Sequence, residues 1–388
     1  LGLICKVYVL SLMTDAYGDI PYNEAGKGDV SGLEFPHYQE QKEVYRLMLA
    51  DLETANQLLK SLKADATISD DILFNGDAVK WRKYANSLKV RILMRQSAKK
   101  DVSADIAAIF NNAQEYPVFT SIDDQATLVY NNTVDFYKWY IQPKNLPSDG
   151  SGVIFGDNFR VSEAIVDALQ TKDDPRLPVY VAPTKHSFEA HRANASVPFV
   201  YRGQPAGLSA AEQNEIDKDD YSVLSSTIRS ESRAFVMTFA ELQFLKAEAI
   251  IRGMITGNAA DEYAKGIRAS MQKWAAISSD DVDVYLARPD VALNTAQNEA
   301  LKQIGTQAWI DSFLNGFEAF ANWRRTGYPE LKVGTSVSSA IPVRYIYSDN
   351  EQNNPNLISW TNEKIGRMVN ETDMVWFQPQ KWNTNVYR

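Results

Sequence analysis

The chain is poor in the residues that most often carry chemistry. It has one cysteine, Cys5, and three histidines in 388 residues. A single thiol excludes an internal disulfide framework and any site built from several thiolates. Long apolar runs are also missing. No stretch reaches the roughly 20 residues that a membrane-spanning helix needs. Residues 1–13 come nearest, but they are short and interrupted by Lys6. Clustered positive charge is absent too. With 40 basic against 49 acidic residues the net charge is −9, and no group of five or more Lys/Arg occurs. A basic face to neutralise phosphates is therefore lacking, which argues against a nucleic-acid partner.

Motifs of known chemistry are equally scarce. There is no phosphate-cradling Gly-rich loop ending in Lys-Ser/Thr, no G-x-S-x-G and no H-E-x-x-H. "HSFEAH" gathers His186, Glu189 and His191. Their spacings of three and five do not share one helix face, so the segment reads as a solvated loop and no metal site is expected. "DKDD" at 217–220 and "SDD" at 69–71 and 279–281 offer oxygens without the EF-hand spacing, and read as solvated turns. Nothing singles out a pair of carboxylates for hydrolysis, so no catalytic residue and no cofactor is expected. The sequons at Asn131, Asn194 and Asn370 carry little weight without a eukaryotic secretory context.

What is present is globular: 45% apolar and 23% charged residues. The length exceeds what one compact core usually supports, which favours two domains or a stacked helical array. Residues 1–13 read as a core helix with Leu1, Ile4, Cys5, Tyr8 and Leu12 along one face. A chain that opens inside a core helix is expected to have natural sequence upstream. "DAYGDIPYNEA" ends that helix. Gly18 relaxes the backbone, Pro21 cannot continue the ladder, and Asp15 and Asp19 are placed to accept from local amides. Residues 40–62 set Val44, Leu47, Leu52, Ala55, Leu58, Leu59 and Leu62 at helical spacing. In "NGDAVKWRKYANSLKVRILMRQ", Asp77 is the expected N-cap. Trp81, Tyr84, Ala85, Leu88 and Ile92 form its apolar stripe, with Lys80, Lys83, Lys89 and Arg95 mostly facing away.

Thr238 and Glu241 suggest a capping box for the helix "TFAELQFLKAEAII", and Gly253 suits its C-terminal end. Further helices are expected at 258–276, 295–314 and 316–326, the last ended by Gly327 and Pro329. Short connections imply antiparallel helix pairs. Residues 113–235 differ. Apart from a helical stretch at 160–170 they are irregular, aromatic and rich in Pro, Gly, Asn and Asp. Tyr130, Phe136, Tyr137, Trp139 and Tyr140 crowd together ahead of "KNLPSDGSG". Rings beside amides and carboxylates suit ligands with apolar faces and polar rims, sugars among them. The competing reading of any single ring is that it fills core beneath the loop.

Several segments, in order, resemble the SusD/RagB family of Bacteroidetes outer-membrane lipoproteins. They are "DAYGDIPYNEA", "YQEQKEVYRLMLADLETANQLL", "DILFNGDAVKWRKYANSLKVRILMR" and "DNFRVSEAIVDALQTKDDPRLPVY", then "FVMTFAELQFLKAEAIIRG" and "NGFEAFANWRRTGYPEL" followed by "IPVRYIYSDNEQNNPN". The resemblance implies a mainly α fold, a tetratricopeptide-like helix-hairpin scaffold whose long irregular loops form the ligand side. It implies one SusD-like unit over 1–388, with scaffold at 1–112 and 236–330, a loop-rich ligand-binding part at 113–235 and an irregular C-terminal wrap at 331–388. It also implies a surface-exposed, non-enzymatic nutrient-binding protein. A lipid on an N-terminal cysteine would anchor it to the outer membrane, and a SusC-like TonB-dependent transporter would be its partner. This sequence departs from the pattern there: that cysteine is not in it, and Cys5 does not match it. "LGLIC" fails as a cleavage site because Ile4 is not small and the apolar run follows the cysteine.

The aspartates of the opening motif are expected to be structural. So are Arg324 and Arg325, with Glu318 as a possible partner. The ligand residues expected from composition are Tyr137, Trp139, Tyr140, Asn145 and Asp149, with Tyr201 and Arg202 behind them. The expected cargo is an oligosaccharide. Peptide is the alternative on the same fold; a hydrolase and a pure protein-interaction scaffold are the more distant ones.

Overall fold

The computed structural model describes residues 1–62, 68–130, 159–229, 231, 233–274, 276–334 and 341–379. Among these, sixteen α-helices and one two-stranded antiparallel sheet make a mainly helical fold. The first part holds α1 (Gly2–Tyr17), α2 (Gly28–Ser31), α3 (Gln41–Lys60), α4 (Ala78–Arg95) and α5 (Ser103–Asn111). The loop-rich part holds β1 (Ala126–Val129) and then α6 (Glu163–Gln170), α7 (Leu177–Tyr180), α8 (Lys185–Ala193), α9 (Ala210–Glu215) and α10 (Ser226–Arg229). Next come β2 (Arg233–Met237), α11 (Phe239–Ile251), α12 (Ala259–Gln272), α13 (Ser279–Leu286), α14 (Gln297–Asp311), α15 (Gly316–Thr326) and α16 (Pro355–Ile365). The helices pack as tetratricopeptide-like hairpins: α3 on α4, α11 on α12, and α14 on α15, with α4 and α14 both against α11. No described helix is long and apolar enough to cross a membrane.

Caps explain where the scaffold helices start. The Asp77 carboxylate accepts from the backbone N–H groups of Val79 and Lys80, and Asn258 does the same for Ala260 and Asp261. Thr238 caps α11, but only half of the expected capping box forms. The Glu241 side chain turns away to accept twice from Arg91, at 2.6 Å each. Gly253 follows α11 with φ +74°, and its N–H and that of Met254 close the helix end on Ile250 and Ala249.

Two cores result. One joins α1, α3, α4 and α5 with Val375 and Phe377 from the C-terminal segment. The other joins α6, α7, α11, α12, α13 and α14 around Trp274 and Tyr180. The expected stripe of α4 is buried as a whole, yet Arg95 is buried with it at 2% exposure, where it was expected to face away. In α1 the inward face is Ile4, Val7, Leu10, Ser11 and Thr14. Leu1 and Cys5 lie outside it because a helix apolar all round has no hydrophobic direction to read. In α3, Val44, Leu52 and Ala55 are buried but Leu58 is exposed, as is Leu62 just past the helix end.

The opening motif is a junction. Gly18 ends α1 at φ +83°. Asp15 and Asp19 do not accept from local amides, as the turn alone had suggested. Asp15 lies 3.1 Å from the Arg95 Nε and accepts from the Tyr45 hydroxyl. Asp19 accepts from the Gln41 N–H at 2.8 Å and from the Trp360 indole N–H at 2.9 Å. The C-terminal segment meets the first helices at this junction. It also contains a helix, α16, where irregular chain was expected; Asn354 caps it and Pro355 sits in its first turn.

Arg325 is buried and donates to both oxygens of Glu248, at 2.6 and 2.7 Å. Glu318 is the partner of Arg95, not of Arg324 or Arg325. Arg324 instead lies 3.9 Å above the Phe320 ring and donates to the Val343 carbonyl. Burial alone would raise the Glu248 carboxyl, but Arg325 and Arg252 outweigh it and hold it at about 2. A carboxyl depressed by folding stabilises the fold above its unfolded value near 4.5, and that contribution is lost as pH falls toward 2. Urea unfolding between pH 5 and pH 2 should show an acid-side loss to which this carboxyl contributes on the order of 3 kcal/mol. Glu248→Gln should flatten that limb; an unchanged slope would contradict the assignment.

Candidate functional site

An opening lies between the loop-rich part and the last hairpins. It is a groove of about 1100 Å³. One wall is the face of α6 carrying Glu163 and Asp167, continued by Thr171 at its C-terminal end. The facing wall is the stripe of α14 at Glu299, Gln303, Thr306 and Ile310, helical neighbours by spacing, with Trp309 beside them. Tyr263 and Tyr285, 3% and 2% exposed, form the floor. Residues 329–334 and 341–342 close one side. Their approach to the loop at Pro205–Gly207 is tight: a Cβ on Gly334 would sit 2.2 Å from the Ala206 carbonyl oxygen. Only glycine fits at that crossing.

The polar groups of the groove are held from behind. The buried Arg176 guanidinium donates to Asp174 at 2.9 and 2.6 Å and to the Gln307 carbonyl oxygen at 2.6 Å. The Gln307 amide then donates to the Tyr285 hydroxyl at 3.3 Å. The Asp-Pro-Arg-Leu turn of the sequence thus fixes the groove floor through Gln307. At the rim, Lys172 donates to Asp290 at 3.2 Å and Lys302 to Glu330 at 2.9 Å. Rings on the floor and paired charges and amides at the rim can hold a ligand with apolar faces and a hydroxylated edge.

Of the expected ligand residues, Tyr137, Trp139, Tyr140, Asn145 and Asp149 lie outside the described residues. Tyr201 is half-buried, packs against the second core, and burial raises its hydroxyl above the ordinary value. Arg202 is exposed, 4.9 Å over the Tyr221 ring and 3.9 Å from an Asp220 oxygen. The same stretch of chain continues through Gln204, bridged to Ser162, into the groove wall at Pro205. Tyr201 and Arg202 are therefore adjacent in chain to the groove without lining it. Sequence reasoning missed the groove: its residues come from segments scattered between Ser162 and Pro342, and its rings Tyr263, Tyr285 and Trp309 are isolated from one another in the sequence.

"HSFEAH" is not a solvated loop. It forms most of α8, whose N-cap Thr184 accepts from the Ser187 N–H. The two "SDD" segments cap structure: Asp71 accepts from three backbone N–H groups and the Trp81 indole, and Ser278 with Asp281 makes a capping box for α13.

The chain matches over residues 1–348 a family model described as SusD-like, starch-binding associating with outer membrane. No curated protein matches it in sequence. Among solved structures, a Bacteroides vulgatus outer membrane protein associated with nutrient binding is 26% identical, with a TM-score of 0.81 over 96% of this chain and 83% of that one. A chitin-binding protein is 28% identical, with a TM-score of 0.76 over 97% of this chain and 80% of that one. A chitin-binding SusD homologue from Flavobacterium johnsoniae is 26% identical, with a TM-score of 0.76 over 97% and 79%. By this match along most of its length, the chain belongs to the SusD-like family.

Proposed function

We propose that the protein captures oligosaccharides at the outer face of the outer membrane and passes them to a SusC-like TonB-dependent transporter. A lipid on an N-terminal cysteine would anchor it. The observation that carries the carbohydrate reading is the family match, whose description is starch-binding; two structural neighbours that bind chitin support it. The groove between α6 and α14 supplies a physical place for such a ligand, with Trp309 as the stacking ring. The aromatic segment bearing Tyr137, Trp139 and Tyr140, with Asn145, Asp149, Tyr201 and Arg202, supplies further contacts. No catalytic step is assigned.

Trp309→Ala and Trp139→Ala should each weaken oligosaccharide binding by about 1–3 kcal/mol, the range for a stacking anchor, and leave the fold intact. Calorimetry on the two variants, with thermal melting alongside, checks this. Loss of the fold would mean the ring is core; undiminished affinity in both variants would remove these rings from the site.

A further inference from the structure

We propose that His186, Asp217 and Asp220 form a surface site for a divalent transition-metal ion, best suited to zinc. Neither "HSFEAH" nor "DKDD" offers metal-ligand spacing alone, but the fold brings one residue of the first against two of the second. The imidazole Nε2 of His186 lies 3.0 Å from Asp217 Oδ2 and 4.0 Å from Asp220 Oδ1. The three donor atoms all fall within 4.8 Å of one another. Zinc bonds of about 2.0–2.2 Å to nitrogen and carboxylate oxygen set tetrahedral neighbours about 3.3 Å apart. The two imidazole–carboxylate separations bracket that value, and an inward movement of Asp220 brings the donors around one cation.

The donors are held by separate elements. His186 stands in the first turn of α8. Asp217 caps the short turn Lys218–Asp220, where its Oδ1 accepts from the Asp219 N–H at 2.9 Å and leaves Oδ2 aimed at the imidazole. Lys185 fastens α8 to the same turn through Asp219 at 2.6 Å, outside the cluster. Arg202 faces the opposite oxygen of Asp220, Oδ2, at 3.9 Å. All three ligands are exposed, so water can complete the coordination. One imidazole with two carboxylates is a borderline donor set that suits zinc better than calcium, which takes oxygen alone. The bound ion would clip α8 to the 217–220 turn beside Arg202.

The test is calorimetric titration of the chelator-treated protein with zinc chloride, and separately with calcium chloride, at pH 7.5. One equivalent of zinc should bind saturably, and calcium should bind at least tenfold more weakly. His186→Ala and Asp220→Asn should each weaken zinc at least tenfold. His37→Ala should not, since that imidazole faces Glu24 alone among the described carboxylates. Cobalt(II) should give a visible absorption band that His186→Ala abolishes. Because the ligands are exposed, circular dichroism should show the variants folded. No saturable zinc uptake, calcium bound as tightly as zinc, or zinc affinity unchanged in His186→Ala would overturn the site.

Discussion

Replacing Arg95 with methionine should lower the stability of the fold by about 3–5 kcal/mol, the cost of removing one partner from a buried ion pair. The residue is 2% exposed. Its Nη2 donates to both oxygens of Glu318, at 2.8 and 2.7 Å, and its Nε lies 3.1 Å from Asp15. Arg91 completes the cluster, paired with Glu241 at 2.6 Å and 3.6 Å from Glu318. Burial favours the neutral acid at Glu318, yet Arg95 and Arg91 hold its carboxyl below the ordinary value. Without Arg95, Glu318 keeps only the longer contact to Arg91, and Asp15 keeps only the Tyr45 hydroxyl. The cluster joins α1, α4, α11 and α15, so the loss falls on the closure of the whole scaffold. Urea unfolding at pH 7 measures it. Arg46→Met, which breaks an exposed pair with Glu43, should change stability by less than about 1 kcal/mol. Equal effects of the two substitutions would contradict the role assigned to the cluster.

Asp174→Ala should be as damaging, again about 3–5 kcal/mol. Asp174 and Arg176 pair at 2.6 Å with both side chains fully buried. Arg176 also donates to Ser270 at 3.0 Å and to Gln307 at 2.6 Å. Removing the carboxylate leaves a guanidinium inside the second core with neutral partners only. The loss should be uneven. Hydrogen exchange should quicken first in α12 and α14, which carry Ser270 and Gln307, while α3 and α4 keep their protection. Uniform acceleration across both cores, or a loss under 1 kcal/mol, would show that the pair does not hold the groove floor.

Much of the scaffold is legible in sequence because helix starts and apolar stripes are local signals. Asp77, Thr238 and Asn258 mark starts through the chemistry of their own side chains, and the stripe from Trp81 to Ile92 points to one side. Where the local signal vanishes, so does the reading. The helix α1 is apolar all round, and its buried face is set by α3 and α15, which lie far away in sequence. The helix α8 is short and polar, and α13 and α16 are short helices whose cap residues also suit turns. Buried charge was harder still. Nothing in "VRILMRQ" distinguishes Arg95 from an exposed arginine until Glu318, 223 residues later, is placed beside it. The groove is unreadable for the same reason, since α6, α13, α14 and residues 329–334 and 341–342 meet only in the folded chain. The resemblance of ordered segments succeeded where local physics could not, because it carries the long-range pairing implicitly.

Oligosaccharide capture is tested by calorimetry of the purified protein against starch-derived and chitin-derived oligosaccharides, host glycan fragments and a peptide pool. Saturable binding to one class of glycan, weakened by Trp309→Ala, and none to peptides is the expected result. Binding to peptides with silence on every glycan would leave the fold standing and contradict the cargo.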